Sequence, residues 1–195
     1  MLALAHMGIT LGSVVLADGM AGRLFIRAQP ETRAANPSGR GRPFLDTVDL
    51  RLVLVGSLLP DIIDKPLGWL LFSQGRAICH TLLFLILICL AGVWLYRSRG
   101  KLWLLVLTFG TLAHLLLDQM WRHPKTLLWP FYGLAFEKLD IGEVLEDMIH
   151  GLWTDPSVFV PEAIGAGVLM WFVFVLVRRR KIHAFVKEGW PMVAR

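Results

Sequence analysis

Apolar residues gather along this chain into runs separated by polar intervals, and the lengths of the runs set the first expectation. A helix needs about 20 apolar residues to cross a bilayer, and residues 78–96, 102–121 and 158–177 meet that length. Two weaker stretches join them. Residues 1–17 are apolar apart from His6 and a few small polar residues. Residues 50–60 form a short run ending in LPDIID, which PLGWLLF extends past Pro60 as a broken or re-entrant piece.

The polar intervals have distinct characters. Residues 18–49 place Arg23, Arg27, Arg33, Arg40 and Arg42 among Pro, Ser, Gly and Asn, the composition of a solvated, flexible loop. Residues 122–157 hold Pro124, Pro130 and Pro156 together with DIGEVLEDMIHGLW, which reads as an amphipathic helix lying at the interface. Val15-Leu16-Ala17 resembles a cleavage site, but no Lys or Arg precedes the first apolar run, so that run is expected to be a retained helix rather than a signal peptide. No internal repeat is present. The expected fold is all-α: one domain over 1–195, a polytopic transmembrane bundle of about five inserted helices plus the interfacial one.

Composition agrees with that class. Of 195 residues, 55% are hydrophobic and 18% charged, and the mean hydropathy is +0.59, a profile that suits a small integral membrane protein. A formal charge of +5 would suit a nucleic-acid partner, yet the arginines lie beside apolar runs, where membrane topology also requires them. No nucleic-acid partner is therefore expected. Arg97, Arg99 and Lys101 follow one run and Arg178, Arg179, Arg180 and Lys181 follow another, so the positive-inside rule makes 18–49 a cytoplasmic loop, 178–195 a basic cytoplasmic tail and 122–157 an outer loop. Cys79 and Cys89 fall on one predicted helix, about 15 Å apart and too far for a bridge to each other.

This threading brings six metal-ligating residues to the outer face: His6, Asp61, Asp64, His80, His114 and Asp118. In HLLLD, His114 and Asp118 are four residues apart, so a single cation can touch both from one helix face. That pair alone could be a buried His satisfied by its neighbour. However, His114 and Asp118 lie about 10 and 5 Å below their helix end, and His80 and His6 lie within about 8 Å of theirs. In LPDIIDKPLG, Asp61 follows a Pro expected to break the helix and Asp64 comes three residues later; the alternative is an interfacial turn with Lys65 as counter-ion. His80 could instead cap its helix, with Thr81 either bonding a ligand or back-bonding the helix. Carboxylates with imidazoles suit a divalent metal, Zn²⁺ first, then Mn²⁺ or Fe²⁺, as one or two ions.

The remaining candidates have plainer explanations. Glu143, Glu146, Asp147 and His150 crowd the interfacial segment, and Glu146 with His150 repeats the four-residue spacing, but charge on such a helix is ordinarily solvated. Trp69, Phe72, Trp121, Trp129, Phe131, Tyr132 and Trp153 suit an aromatic belt at headgroup depth, or else the lining of a lipid groove. His123 and His183 read as ordinary loop and tail residues.

The succession AHMGITLG, GSLLPDIIDKPLG, GRAICHTLLF, HLLLDQMW and PKTLLWPFYG closely resembles the membrane-bound metal-dependent hydrolases of the YdjM-like, LexA-binding inner-membrane family. That family is distantly similar to zinc-dependent phospholipase C and the single-strand-specific zinc nucleases, which also use a His-x-x-x-Asp pair on a helix. The resemblance covers about residues 1–135 and implies metal ligands at His6, Asp61, His80, His114 and Asp118. Many members have Leu-Pro-Asp-x-Asp-His where this chain has Leu-Pro-Asp-Ile-Ile-Asp-Lys, which leaves Asp64 as either a ligand or a base. The expected function is a multi-pass inner-membrane hydrolase acting on a phosphoester of a membrane lipid through a metal-activated water, with Asp61, Asp64 and His80 catalytic and the site facing outward. The rival reading is a divalent-metal or proton transporter using the same cluster. Against it, Phe84 to Trp94 and Trp103 to Phe109 carry no Asp, Glu, His, Lys or Arg. A scaffold whose polar residues only tie helices together is a third possibility.

Overall fold

The computed structural model describes residues 3–28, 48–68, 76–136 and 150–189, with the backbone alone over 19–28. Among them the regular elements are helical: α1 (Ala3–Ala28), α2 (Leu50–Leu67), α3 (Leu82–Arg99), α4 (Trp103–Leu117), the single turn α5 (Pro124–Leu127), α6 (Pro156–Arg178) and α7 (Ile182–Glu188), with 3-10 turns at Ile78–His80 and Met120–Arg122. The helix α1 continues well past position 17 into the expected loop, where no proline interrupts the chain before Pro30. The expected interfacial helix falls mostly outside the described residues, although His150 to Thr154 are helical.

Local signals set the boundaries. The run expected to start at 78 becomes α-helical only at Leu82, because the Thr81 side chain accepts the Phe84 amide as a cap. Cys79 therefore sits in the preceding 3-10 turn, not on the helix of Cys89. Asp155 accepts the Ser157 amide and Pro156 takes the first helical position of α6. At the far end of α4, Asp118 follows the last helical residue, and Gln119 turns the chain away with a φ of 53°.

By length and composition α3 and α6 could each cross a membrane; α4 and the segment Ala3–Asp18 of α1 are apolar but shorter. The outer faces match. Leu90 is 61% exposed, Met170 67% and Phe174 58%, an apolar exterior that water would penalise and lipid would not. The interior splits into two halves along the helix axes. One half is the apolar core of Leu11, Val14, Val48, Leu50, Val53, Val106, Phe172 and Leu176. The other half carries the buried His and Asp residues.

Helix α2 packs most extensively on α4, and α1 on α6. Both crossings are made by glycine. A Cβ on Gly110 would lie 2.6 Å from the Gly56 carbonyl carbon, and a Cβ on Gly8 would overlap the Gly165 backbone. Lipid supplies little hydrophobic drive between helices, so such close backbone approach is a main source of association.

Pro60 does not break α2, which runs on through both Pro60 and Pro66. A proline in a helix withholds the N–H owed to the carbonyl four residues earlier, here Gly56. The Thr111 hydroxyl of α4 reaches that oxygen at 3.5 Å while also lying 3.1 Å from Leu107 O. One residue on, the Ser57 carbonyl accepts from His114 Nδ1 at 2.7 Å. A neighbouring helix thus satisfies the loosened turn and keeps the helix continuous.

The basic tail folds back at the end remote from these histidines. Arg51 Nη1 donates to Val186 O at 2.6 Å, the Leu50 amide donates to Gly189 O at 3.1 Å, and Phe185 meets Phe172 edge to face at 5.4 Å.

Candidate metal centre

All six residues singled out in the sequence converge at the start of α1 and α3 and the end of α2 and α4. His6 comes from the second turn of α1, Asp61 and Asp64 from successive turns of α2, His80 from the 3-10 turn before α3, His114 from the last turn of α4 and Asp118 from the residue that follows it. His6, Asp64, His80 and His114 are fully buried. Each of two groups, His6 with His114 and Asp118, and Asp61 with His80 and His114, has ligand atoms within 4.8 Å of one another.

Backing contacts orient the imidazoles. His114 Nδ1 donates to the Ser57 carbonyl at 2.7 Å, and His80 Nδ1 donates to Asp64 Oδ2 at 2.7 Å. With both protons assigned to Nδ1 by these acceptors, each Nε2 presents a lone pair. The two Nε2 atoms face each other at 3.3 Å, and two lone pairs at that distance need a cation between them or a proton on one ring. His80 Nε2, His114 Nε2 and Asp61 Oδ1 are separated by 3.3, 3.7 and 3.9 Å, so a point about 2.1 Å from all three exists, within the zinc–nitrogen and zinc–oxygen range of about 2.0–2.2 Å. The donor set fits a divalent ion.

Asp118 borders the same space. Its Oδ2 is 3.9 Å from His114 Nε2 and its Oδ1 is 3.1 Å from His6 Nε2. The His6 ring also stacks on His114, with centroids 4.2 Å apart. His114 belongs to both ligand groups, yet its Nδ1 is committed to Ser57, leaving one nitrogen for an ion.

Asp64 is deployed differently from the ligand or base expected of it. Its carboxylate accepts the backbone amides of Ala77 (2.8 Å), Cys79 (3.0 Å) and His80 (3.2 Å) besides the His80 ring. Both oxygens are turned towards these donors, and Asp64 stands behind His80 in the position of an orienting partner. Thr81, next in sequence, caps α3 and donates to Ile78 O.

Sequence reasoning passed over the Ser57 carbonyl, Arg76 and Glu162, and it gave His123 no role. The Ser57 carbonyl acts through its backbone, which no side-chain pattern reveals. Arg76 Nη2 lies 3.5 Å from Asp118 Oδ2 and its Nη1 3.3 Å from His123 Nε2, so His123 is part of the site's rim rather than an ordinary loop residue. Glu162 of α6, 5% exposed, accepts the Ala5 amide at 3.2 Å, one of the unpaired N–H groups that open α1; a carboxylate inside the apolar run 158–177 was the available signal. Lys65 pairs with Asp61 Oδ2 at 2.7 Å, the counter-ion contact foreseen as the alternative, and leaves Oδ1 towards the imidazoles.

Other candidates lie apart. Glu143, Glu146 and Asp147, like Trp69 and Phe72, are outside the described residues, and His150 is exposed with Thr154 as its neighbour. Trp121, Phe131, Tyr132 and Trp153 are exposed, as an aromatic belt requires, and so is His183 on α7.

No curated protein and no solved structure matches the chain. The model of the family described as YdjM inner membrane protein, a description that gives a location and no reaction, matches residues 1–185, nearly the whole length and every residue of the centre, and the chain belongs to that family.

Proposed function

We propose that this protein is a multi-pass inner-membrane hydrolase that uses a single divalent metal ion, Zn²⁺ by preference, to cleave a phosphoester of a lipid at the outer membrane–water interface. The observation that carries this reading is the facing pair of His80 and His114 Nε2 atoms with Asp61 Oδ1 beside them. When bound, such an ion neutralises phosphate charge and lowers the pKa of water. The chain's own residues do the rest. Asp64 and the Ser57 carbonyl hold the two imidazoles in the required tautomer and direction. Asp118, 3.1 Å from His6, would complete the ligand shell, and Asp61, whose Oδ2 pairs with Lys65, would offer Oδ1 to the ion. The single available nitrogen of His114 supports one ion rather than two.

Placement at the outer face rests on the flanking charge. Arg97, Arg99 and the Arg178–Lys181 cluster lie at the helix ends remote from the centre, and cytoplasmic ends carry such charge. The half of the bundle between them and the centre is the apolar core, which supplies no ionisable relay among the described residues and weighs against transport.

Metal analysis of purified protein should find about one ion per chain, lost in His114→Ala. In nanodiscs holding a panel of phospholipids, headgroup or phosphate release should stop on chelation, return on adding Zn²⁺, and be absent in Asp118→Asn and His80→Ala. Turnover that survives both substitutions and complete metal removal would overturn the reading. Metal flux across proteoliposomes without hydrolysis would establish the transporter instead.

A further inference from the structure

We propose that Lys65 and Arg76 form a two-pronged anion clamp at the mouth of the centre, which takes a terminal phosphate group only once the metal site is filled. This rests on the hydrolase reading above and names the group that its substrate presents.

A gradient of exposure separates the two cations from the ligands. The side chains of His6, His80 and His114 are fully buried, and those of Asp118 and Asp61 are 7% and 17% exposed. Arg76 and Lys65, at 31% and 44%, are more exposed than the carboxylates they pair with. They approach from different segments: Lys65 from the last turn of α2, Arg76 from just before the 3-10 turn that carries His80. Each holds a different acid of the ligand set, Lys65 pairing with Asp61 and Arg76 with Asp118.

Charge gives the arrangement its order of events. With neutral imidazoles, Asp61, Asp64 and Asp118 outnumber Lys65 and Arg76, and these five side chains together carry one net negative charge that repels an anion. A divalent ion reverses that sign. It also draws on the acids' charge, loosening their hold on the two cations, whose heads then have donors to spare. The ammonium is a compact point charge and the guanidinium a planar fork suited to two phosphate oxygens. Together with the ion they match a dianionic phosphate, either free or as the head of a phosphatidic acid. His123, against Arg76 Nη1 at 3.3 Å, steadies the fork.

Linkage makes this measurable without turnover. If phosphate binds only the loaded centre, phosphate must tighten metal binding by the same factor. Zn²⁺ affinity is read by chelator competition on full-length protein in nanodiscs of neutral lipid, with and without inorganic phosphate, and a parallel arm replaces free phosphate by phosphatidic acid in the disc. Wild type should bind Zn²⁺ about tenfold more tightly with phosphate present, within the usual span of such couplings. Lys65→Gln and Arg76→Gln should each bind Zn²⁺ alone at least as well as wild type, having lost a competing cation, while the phosphate effect falls to near unity. Arg76→Lys, which keeps charge without the fork, should retain part of it and guards against misfolding of the Gln variant. Coupling in the phosphatidic acid arm alone identifies a lipid headgroup as the ligand, and in the free-phosphate arm alone a soluble one. Absence of coupling in wild type, or coupling that persists in either Gln variant, overturns the clamp and leaves the two cations as counter-ions to the acids. Failure of wild type to bind Zn²⁺ at all would instead sink the hydrolase reading.

Discussion

Replacing Asp64 by Asn removes a charge and one acceptor from a carboxylate that is completely buried and surrounded by donors. Three backbone amides and the His80 ring point at it, over 2.7 to 3.2 Å. The Asn oxygen can take the place of Oδ2 and keep Ala77, His80 N, His80 Nδ1 and one arm of the Cys79 amide, which the carboxylate shares between both oxygens, but each bond then loses its charge assistance. That drop is about 1 kcal/mol for the short imidazole bond, from roughly 1.5–3 down to 0.5–1.5. The Asn amide group meanwhile turns an N–H towards the Cys79 amide, a donor against a donor, at a cost of about 1–3 kcal/mol. The expected loss of stability is about 2–4 kcal/mol even without metal. Loosening the ring should also weaken metal binding about 10–100-fold. Denaturant unfolding of metal-free protein and chelator competition measure the two effects separately. His80→Ala, which deletes a ligand, should abolish binding, so the two substitutions differ in kind. Metal-free stability equal to wild type in Asp64→Asn, or metal loss as complete as in His80→Ala, would refute the orienting role.

Gly110→Ala would place a Cβ 2.6 Å from the Gly56 carbonyl carbon; the helices must part, at about 1–3 kcal/mol, and because Ser57 moves with Gly56 the same variant should weaken metal binding, checked by the same two assays. Asp49, which caps α2, is pushed up by burial but held below the ordinary carboxylate value of 3.8 by Arg51 and its amide. Its contribution is therefore present above pH 4 or so and lost as pH falls through the lowered value. Asp49→Asn should accordingly be less stable than wild type at pH 7, with the difference shrinking as pH falls below about 4, read by unfolding midpoints. On a background lacking Cys79 and Cys89, Phe131→Cys should react with an impermeant maleimide on intact cells and Ser98→Cys only after permeabilisation; the reverse pattern would invert the topology.

The six residues of the centre could be read from the chain because an ionisable group inside an apolar run has few uses, and the basic flanks gave all six one depth. The direction in which Asp64 faces could not. It depends on residues 77–80 leaving the helix and presenting their amides, a local choice made by the Thr81 cap together with the carboxylate itself. Pro60 misled for a related reason: its effect on α2 is decided by Thr111 and His114, more than fifty residues away, whose side chains take the carbonyls of that turn. The apolar run 158–177 came within two residues of α6, whose ends are set by Asp155-Pro156 and the arginines at 178–180, signals that act within one turn. The glycine crossings were invisible because nothing in the spacing of Gly56 and Gly110 says that they meet.

The centre takes its groups from α1, α2, the turn before α3, and α4, so it spans residues 6 to 118 while no one helix carries more than two of them. During synthesis it has no partial version with the same geometry. A chain grown only through α3 could form the contact of Asp64 with His80, but the ring that joins the two ligand groups arrives with α4, and the helix that seats His6 gains the Glu162 contact only when α6 follows. Under the proposed function, metal binding at this site would therefore report that the chain is complete through α6 and correctly packed, and an unfinished chain would lack it.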